Sequence, residues 1–402
     1  MPAATPSAIF RIIVLASLAH TLFVSARVGA ALYAVKRHDS ALWVGALLAL
    51  FAVAPLFTAV RAGRWIDRSG GRAPLAWALV VLWVGCALPA FTPHSSSLLP
   101  ALILSSIFIG TGQMLALLAV QHWLGEQASE RERIRVFSWL SLGIALASIA
   151  GPLISGALID TLGYRAIYQT LVLGATVAGA IFWRNHQLLP RRVQPWSTAA
   201  PKPALDLLRD PMLRKVLLAA ILVSMSWDLQ SVMVPLHGHA VGLPAVSVGF
   251  ILSSFAIATL IVRAILPWLA GRWPAARLLG LTMASAAMAF AIFPLFSGLP
   301  GLVVTAFLLG LGLGAAQPGI MSLLYEHTPV GRGAESLGLR TTLMNGTHVA
   351  LPLILGVGAG AIGHQAIFWS MALLLAWGAA STWRKLRVAE HPFDRTDTKV
   401  GS

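Results

Sequence analysis

Twelve stretches of predominantly apolar residues run through this chain, at 9–33, 41–62, 74–93, 98–122, 136–160, 165–183, 215–236, 244–269, 276–297, 301–325, 337–362 and 364–383. Each is close to the ~20 residues a helix needs to cross the hydrocarbon core of a bilayer. Only 11% of the 402 residues are charged, against roughly 25% in a soluble domain. A soluble fold of this size cannot hide so much apolar surface, so the expected solvent is lipid. The ~10-residue alternating segments of a membrane barrel are absent. The lone cysteine, Cys86, excludes a disulfide framework and reads as a small packed hydrophobe. The expected fold class is an all-α polytopic membrane protein, with twelve transmembrane helices in two six-helix bundles.

The interval 184–214 holds Pro190, Pro195, Pro201 and Pro203 among Arg191, Arg192, Lys202, Arg209 and Arg214. Prolines and like charges predict a linker between halves. The expected division is therefore an N-terminal bundle (1–183), a cytoplasmic linker (184–214), a C-terminal bundle (215–383) and a cytoplasmic tail (384–402). Within the linker, 204–209 predicts one amphipathic turn along the membrane surface. Only Arg11 stands at the head of the first span, which is too long for a signal-peptide core and is read as a membrane helix.

Charge placement gives the orientation. If both termini and the even-numbered loops share one side, that side collects 24 of the 29 Lys and Arg, Arg332 and Arg340 among them. The other side collects 3, and Arg27 and Arg263 stay inside the spans. The positive-inside rule makes the basic side cytoplasmic. The net charge of +15 is then topological. No basic stripe interleaved with stacking aromatics points to nucleic acid.

The halves repeat. A shift of 200 places Gly110 and Gly112 on Gly310 and Gly312, Glu126 on Glu326, Pro152 and Gly156 on Pro352 and Gly356, and Trp183-Arg184 on Trp383-Arg384. Parallel six-helix repeats imply a pseudo-two-fold axis along the membrane normal, with a central cavity between the halves that is reached alternately from each side.

After the second span stands Gly63-Arg-Trp-Ile-Asp67-Arg68-Ser-Gly70-Gly-Arg72. This resembles the loop signature of the major facilitator superfamily, and with twelve spans and a repeat the resemblance covers nearly the whole chain. It implies a secondary transporter of the efflux type in the inner membrane of a bacterial cell, with Asp67 helping to lock the cytoplasmic side. A helix N-terminus near Ser336 and Leu337 offers amides and a dipole to receive that carboxylate, and Glu126 is the expected third member of a network with Arg68 and Arg72. A solvated topogenic charge cluster is the other reading. In the second half Ala275 replaces the aspartate, so the lock is expected on one side only. Gly143, Gly151, Pro152 and Gly156 in the fifth span look like the Gly-Pro motif of the family's antiporters. The chain departs from that pattern at Ala157, and Ser105 and Ser106 stand where the family's exporters carry an arginine. Gly143, Ala147, Gly151 and Ser155 also form one small-residue face suited to plain tight packing.

An ionisable group at mid-membrane costs ~2.5–3.5 kcal/mol on insertion scales, so each needs a reason. Arg27, Asp228 and Arg263 qualify. Arg27 and Asp228 lie at similar depth in equivalent spans and are expected to face each other, either for substrate binding and proton coupling or as a fixed ion pair. Arg263 contacts substrate or snorkels toward the cytoplasm. His20, Gln113, Gln230, Gln317, Asn345 and His348 supply neutral hydrogen bonds, to substrate or between helices. His237 and His239 lack a third ligand, so no metal is expected. No phosphate loop, nucleophile elbow or metalloprotease helix is present, so no enzyme and no cofactor is expected.

The leading expectation is proton-coupled export of a small organic molecule by a monomer in the lipid bilayer. The alternatives are uptake or exchange of a small organic anion, and a transport-inactive sensor on the same fold.

Overall fold

The computed structural model describes residues 5–36, 41–93, 98–189, 203–269, 272–362 and 364–389. Segments this apolar, with no water to serve their backbone, close their hydrogen bonds internally. Among the described residues there are twelve α-helices and no strand. They are α1 (Pro6–Lys36), α2 (Ala41–Ser69), α3 (Arg72–Ala90), α4 (Leu99–Gln127), α5 (Glu130–Leu162), α6 (Tyr164–Asn185), α7 (Pro211–Ala240), α8 (Ala245–Leu269), α9 (Ala275–Ile292), α10 (Leu299–His327), α11 (Gly333–Ile362) and α12 (His364–Ala389). Among the described residues, ten helices carry a stretch long and apolar enough to cross a membrane.

The repeat reappears as geometry. Helices α4 and α10 each start on a Leu-Pro pair, whose proline suits a first helical turn because its missing N–H has no partner there. In the N-terminal half α1 packs on α5 and α6, and α4 packs on α2 and α3. In the C-terminal half α10 packs on α7, α8 and α9, and α12 packs on α9. The halves meet along α2 against α11 and along α5 against α8 and α10.

The signature after the second span is mostly helix. Residues Gly63 to Ser69 continue α2, and the chain turns only at Gly70, whose φ of 75° lies in the left-handed region that glycine tolerates best. Between the halves, Ala204–Arg209 forms a short 3-10 helix that buries Leu207 and exposes Leu205. Asp210 then caps α7 through Oδ1, which accepts from the amides of Met212 and Leu213, each at 2.7 Å.

The small-residue face of α5 rests on α1. A Cβ at Gly143 would lie 2.2 Å from Ser17 Oγ, and Ser155 Oγ donates to the Ser25 carbonyl at 3.0 Å. Ser25 Oγ returns a bond to the Gly151 carbonyl at 3.1 Å. Gly156 is off this seam, with no atom within 4 Å of an added Cβ. Cys86 is fully buried.

Candidate functional site: a latch and a central cavity

At one end of the molecule α2 and α11 touch backbone to backbone. Ala59 and Gly63 on α2 meet Ala334 and Gly338 on α11, two small-residue pairs each spaced by four. A Cβ on Gly63 would stand 2.1 Å from the Ala334 carbonyl oxygen, and one on Gly338 would stand 2.3 Å from that of Ala59. This proximity brings Asp67 onto the start of α11. Its Oδ1 accepts from the Ala334 amide and its Oδ2 from the Glu335 amide, both at 2.8 Å. A carboxylate so placed satisfies two orphan donors and faces the positive end of the helix dipole. The receiving amides are those of Ala334 and Glu335, earlier in the chain than Ser336 and Leu337.

Glu335 extends the latch. Arg64 Nε donates to its Oε1 at 2.8 Å and Arg332 Nε to its Oε2 at 2.7 Å. Burial opposes ionisation of Glu335, but the hydrogen bonds from Arg332 and Arg64 outweigh it and hold the carboxyl below its ordinary value. The same contact with Glu335 holds the Arg332 guanidinium above its ordinary value. Arg332 also reaches the inter-half segment, donating to the Pro203 carbonyl at 3.3 Å with Asp206 Oδ2 3.9 Å away. Glu126 stands 3.5 Å from His122, which lies 3.8 Å from Asp67. Arg68 faces outward and Arg72 opens α3. Ala275, in the place of an aspartate, opens α9. The corresponding helix start, at α5, is capped from its own chain segment by Ser129 and Glu132.

Above the latch, α4 and α10 cross where Tyr325 fills the space left by Gly125. A Cβ there would stand 2.2 Å from the tyrosine ring, and the Tyr325 hydroxyl donates to the Gln121 carbonyl at 3.1 Å.

Beyond this crossing lies a cavity of about 580 Å³ between the halves, walled by α4, α5, α7, α8, α10 and α11. Arg263, Gln317, Asn345 and His348 line it. So does Arg340, which the sequence reading counts with the cytoplasmic charges; it is 4% exposed inside α11 and donates from Nη2 to Gln317 Oε1 at 2.9 Å. A basic residue near the start of a span reads as topogenic, and the repeat gives no warning, since position 140 is a leucine.

The expected meeting of Arg27 with Asp228 is not what the structure holds. Asp228 Oδ2 lies 2.6 Å from His348 Nδ1 on α11. The Arg27 guanidinium sits 5.6 Å from the Phe23 ring centroid and forms no ion pair among the described residues. Equal depth fixes height along a helix, not the direction a side chain takes around it. His20 bridges Gln113 Nε2 at 3.0 Å and Ser148 Oγ at 3.3 Å, and Ser148 lines the cavity. Gln230 is buried away from the cavity lining. His237 is 3.0 Å from the Phe296 carbonyl oxygen, and the His239 side chain lies outside the described residues. Among the described residues no group of three metal-ligating side chains comes together.

The sequence model of the Major Facilitator Superfamily matches residues 12–347 and 216–401. The tetracycline resistance protein, class B, of Escherichia coli is 26% identical over 332 residues, covering 80% of each chain. A probable chloroplastic anion transporter 1 of Oryza sativa subsp. japonica is 30% identical over 128 residues; the match spans 32% of this chain but only 24% of that relative's length. Among solved structures, a bacterial homologue of the iron transporter ferroportin superposes with a TM-score of 0.75 at 16% identity, over 93% of this chain and 99% of that one. The human organic anion transporter MFSD10 superposes with a TM-score of 0.74, also at 16% identity, over 94% and 100%. With a family match spanning both halves and this fold, the chain belongs to the Major Facilitator Superfamily.

Proposed function

We propose that the protein is a proton-coupled exporter of small organic molecules in the inner membrane of a bacterial cell, with all twelve helices crossing the bilayer and both termini in the cytoplasm. The latch end is then cytoplasmic, and Asp67, Glu335, Arg64 and Arg332 hold that side shut while the cavity communicates with the outside. The kinship with a tetracycline resistance protein supports export.

The observation that carries proton coupling is the Asp228–His348 pair. A carboxylate and an imidazole 2.6 Å apart can share one proton, and both keep access to water, with side chains 29% and 40% exposed. His348 also lines the cavity, so a bound cargo and the shared proton lie in contact. Motion that parts α7 from α11 breaks the pair and releases the proton, which ties protonation to the conformational cycle.

Reconstitution in proteoliposomes tests this. Asp228→Asn and His348→Gln should each abolish uphill transport driven by a pH gradient while leaving substrate binding and downhill exchange measurable. Uphill transport at the wild-type rate by both variants would show that the proton travels elsewhere.

A further inference from the structure

The central cavity carries two guanidiniums and, among the described residues that line it, no carboxylate. Arg340 is 4% exposed; its Nη2 is satisfied by the neutral Gln317, and its Nε is buried with no hydrogen-bond partner among the described residues. Arg263 lies over the Trp227 ring, 5.3 Å from its centroid, and its Nε is likewise buried without a partner. Asp228, which is not in the lining, is engaged by the lining residue His348. Taking a guanidinium out of water carries a penalty of several kcal/mol unless an anion and hydrogen-bond acceptors replace the water. Two such groups, one on α8 and one on α11, line this cavity. The rest of the lining is largely apolar, including Met114, Leu118, Ile144 and Phe255.

We infer that the cavity binds amphiphilic organic anions: an oxyanion head, carboxylate, sulfonate or phosphate, received by Arg263 and Arg340, with an apolar body against the α4, α5 and α8 walls. Guanidinium forks suit such heads because they donate two parallel hydrogen bonds. A volume of about 580 Å³ falls within the ~300–1,000 Å³ of sites for drug-sized ligands. The inference names the cargo of the transporter proposed above and stands independently of proton coupling.

The test uses the purified full-length protein in detergent and three probes of one shape: naphthalene-2-sulfonate, the neutral naphthalene-2-sulfonamide and the cationic naphthalen-2-ylmethylammonium. Calorimetric titration and thermal shift are read without any ion gradient. The sulfonate should bind and raise the melting temperature, the sulfonamide should bind about tenfold or more weakly, and the ammonium should not bind. Arg263→Gln and Arg340→Gln should each weaken the sulfonate by about tenfold or more, the loss expected for one charge-assisted hydrogen bond. Arg263→Lys should retain more affinity than Arg263→Gln, because it keeps the charge. The unliganded glutamine variants should melt no lower than wild type, since each removes a charge that has no counter-ion among the described residues. No sulfonate binding, equal binding of the three probes, or sulfonate binding that survives the double substitution R263Q/R340Q overturns the inference. Should the double variant fail to fold, the probe series on the wild type still decides. Failure of the proton reading has a different signature: intact sulfonate binding, with gradient-driven transport preserved in Asp228→Asn.

Discussion

Gly63 and Asp67 lie one turn apart on α2 and depend on each other. The glycine lets the backbones of α2 and α11 touch, and only at that distance can one carboxylate accept from two amides of the other half. A methyl group at Gly63 meets a backbone oxygen, which cannot swing aside as a side chain can. Gly63→Ala should therefore push the helices apart, at roughly the 1–3 kcal/mol typical of overpacking. At Gly156 the same methyl meets nothing within 4 Å. Gly156→Ala should gain up to about 1 kcal/mol of helix propensity and leave the transport rate alone. Parallel melting curves and transport rates check both; equal melting of the two variants sinks the close-contact argument. Asp67 was legible because an acid within a basic segment after a membrane span is conspicuous. Its partners were less so. Glu335 is marked only by its place in the first turn of a helix, and Arg340 by nothing except its distance into α11, which requires knowing that the helix starts at Gly333.

The approximate extent of the helices is legible in the sequence, because length and apolarity are nearly sufficient for a segment that must close its backbone hydrogen bonds internally. Their ends are not, since α2 carries its hydrogen bonds past the apolar run to Ser69 and α7 begins upstream of its apolar run, at Pro211. The extra turns of α2 hold Arg64 and Asp67, so the difference lies where the polar chemistry is. The pH behaviour of the latch belongs to this scale. Glu335 has a lowered value in the fold, so its bridge to Arg64 and Arg332 contributes stability fully above the ordinary glutamate value of 4.5 and loses it as pH falls through the lowered one. The difference in melting temperature between wild type and Glu335→Gln should be constant from neutral pH to about pH 5 and shrink only in stronger acid. A gap that closes between pH 7 and 6 would assign the titration to another group.

For the whole molecule, the contact of Asp67 with the start of α11 and the cavity both lie between the halves, and the proposed orientation opens the cavity to the outside. Cys86 is fully buried, which leaves an introduced cysteine as the accessible thiol. Asn345→Cys should react with a membrane-impermeant maleimide applied outside intact cells, and combining it with Gly63→Ala should slow that labelling. Labelling only in inside-out vesicles would reverse the orientation. The two halves also end their equivalent helices differently, and this has a consequence in time. The start of α5 is capped by its own Ser129 and Glu132, whereas the start of α11 is capped by Asp67 from the opposite half. Each opening of the latch thus strips two amides of their acceptor at once. On the proposed function, deuterium uptake at Ala334 and Glu335 should therefore serve as a clock for the transport cycle: its rate should count how often this contact opens, while the first turn of α5 should keep the same pace throughout.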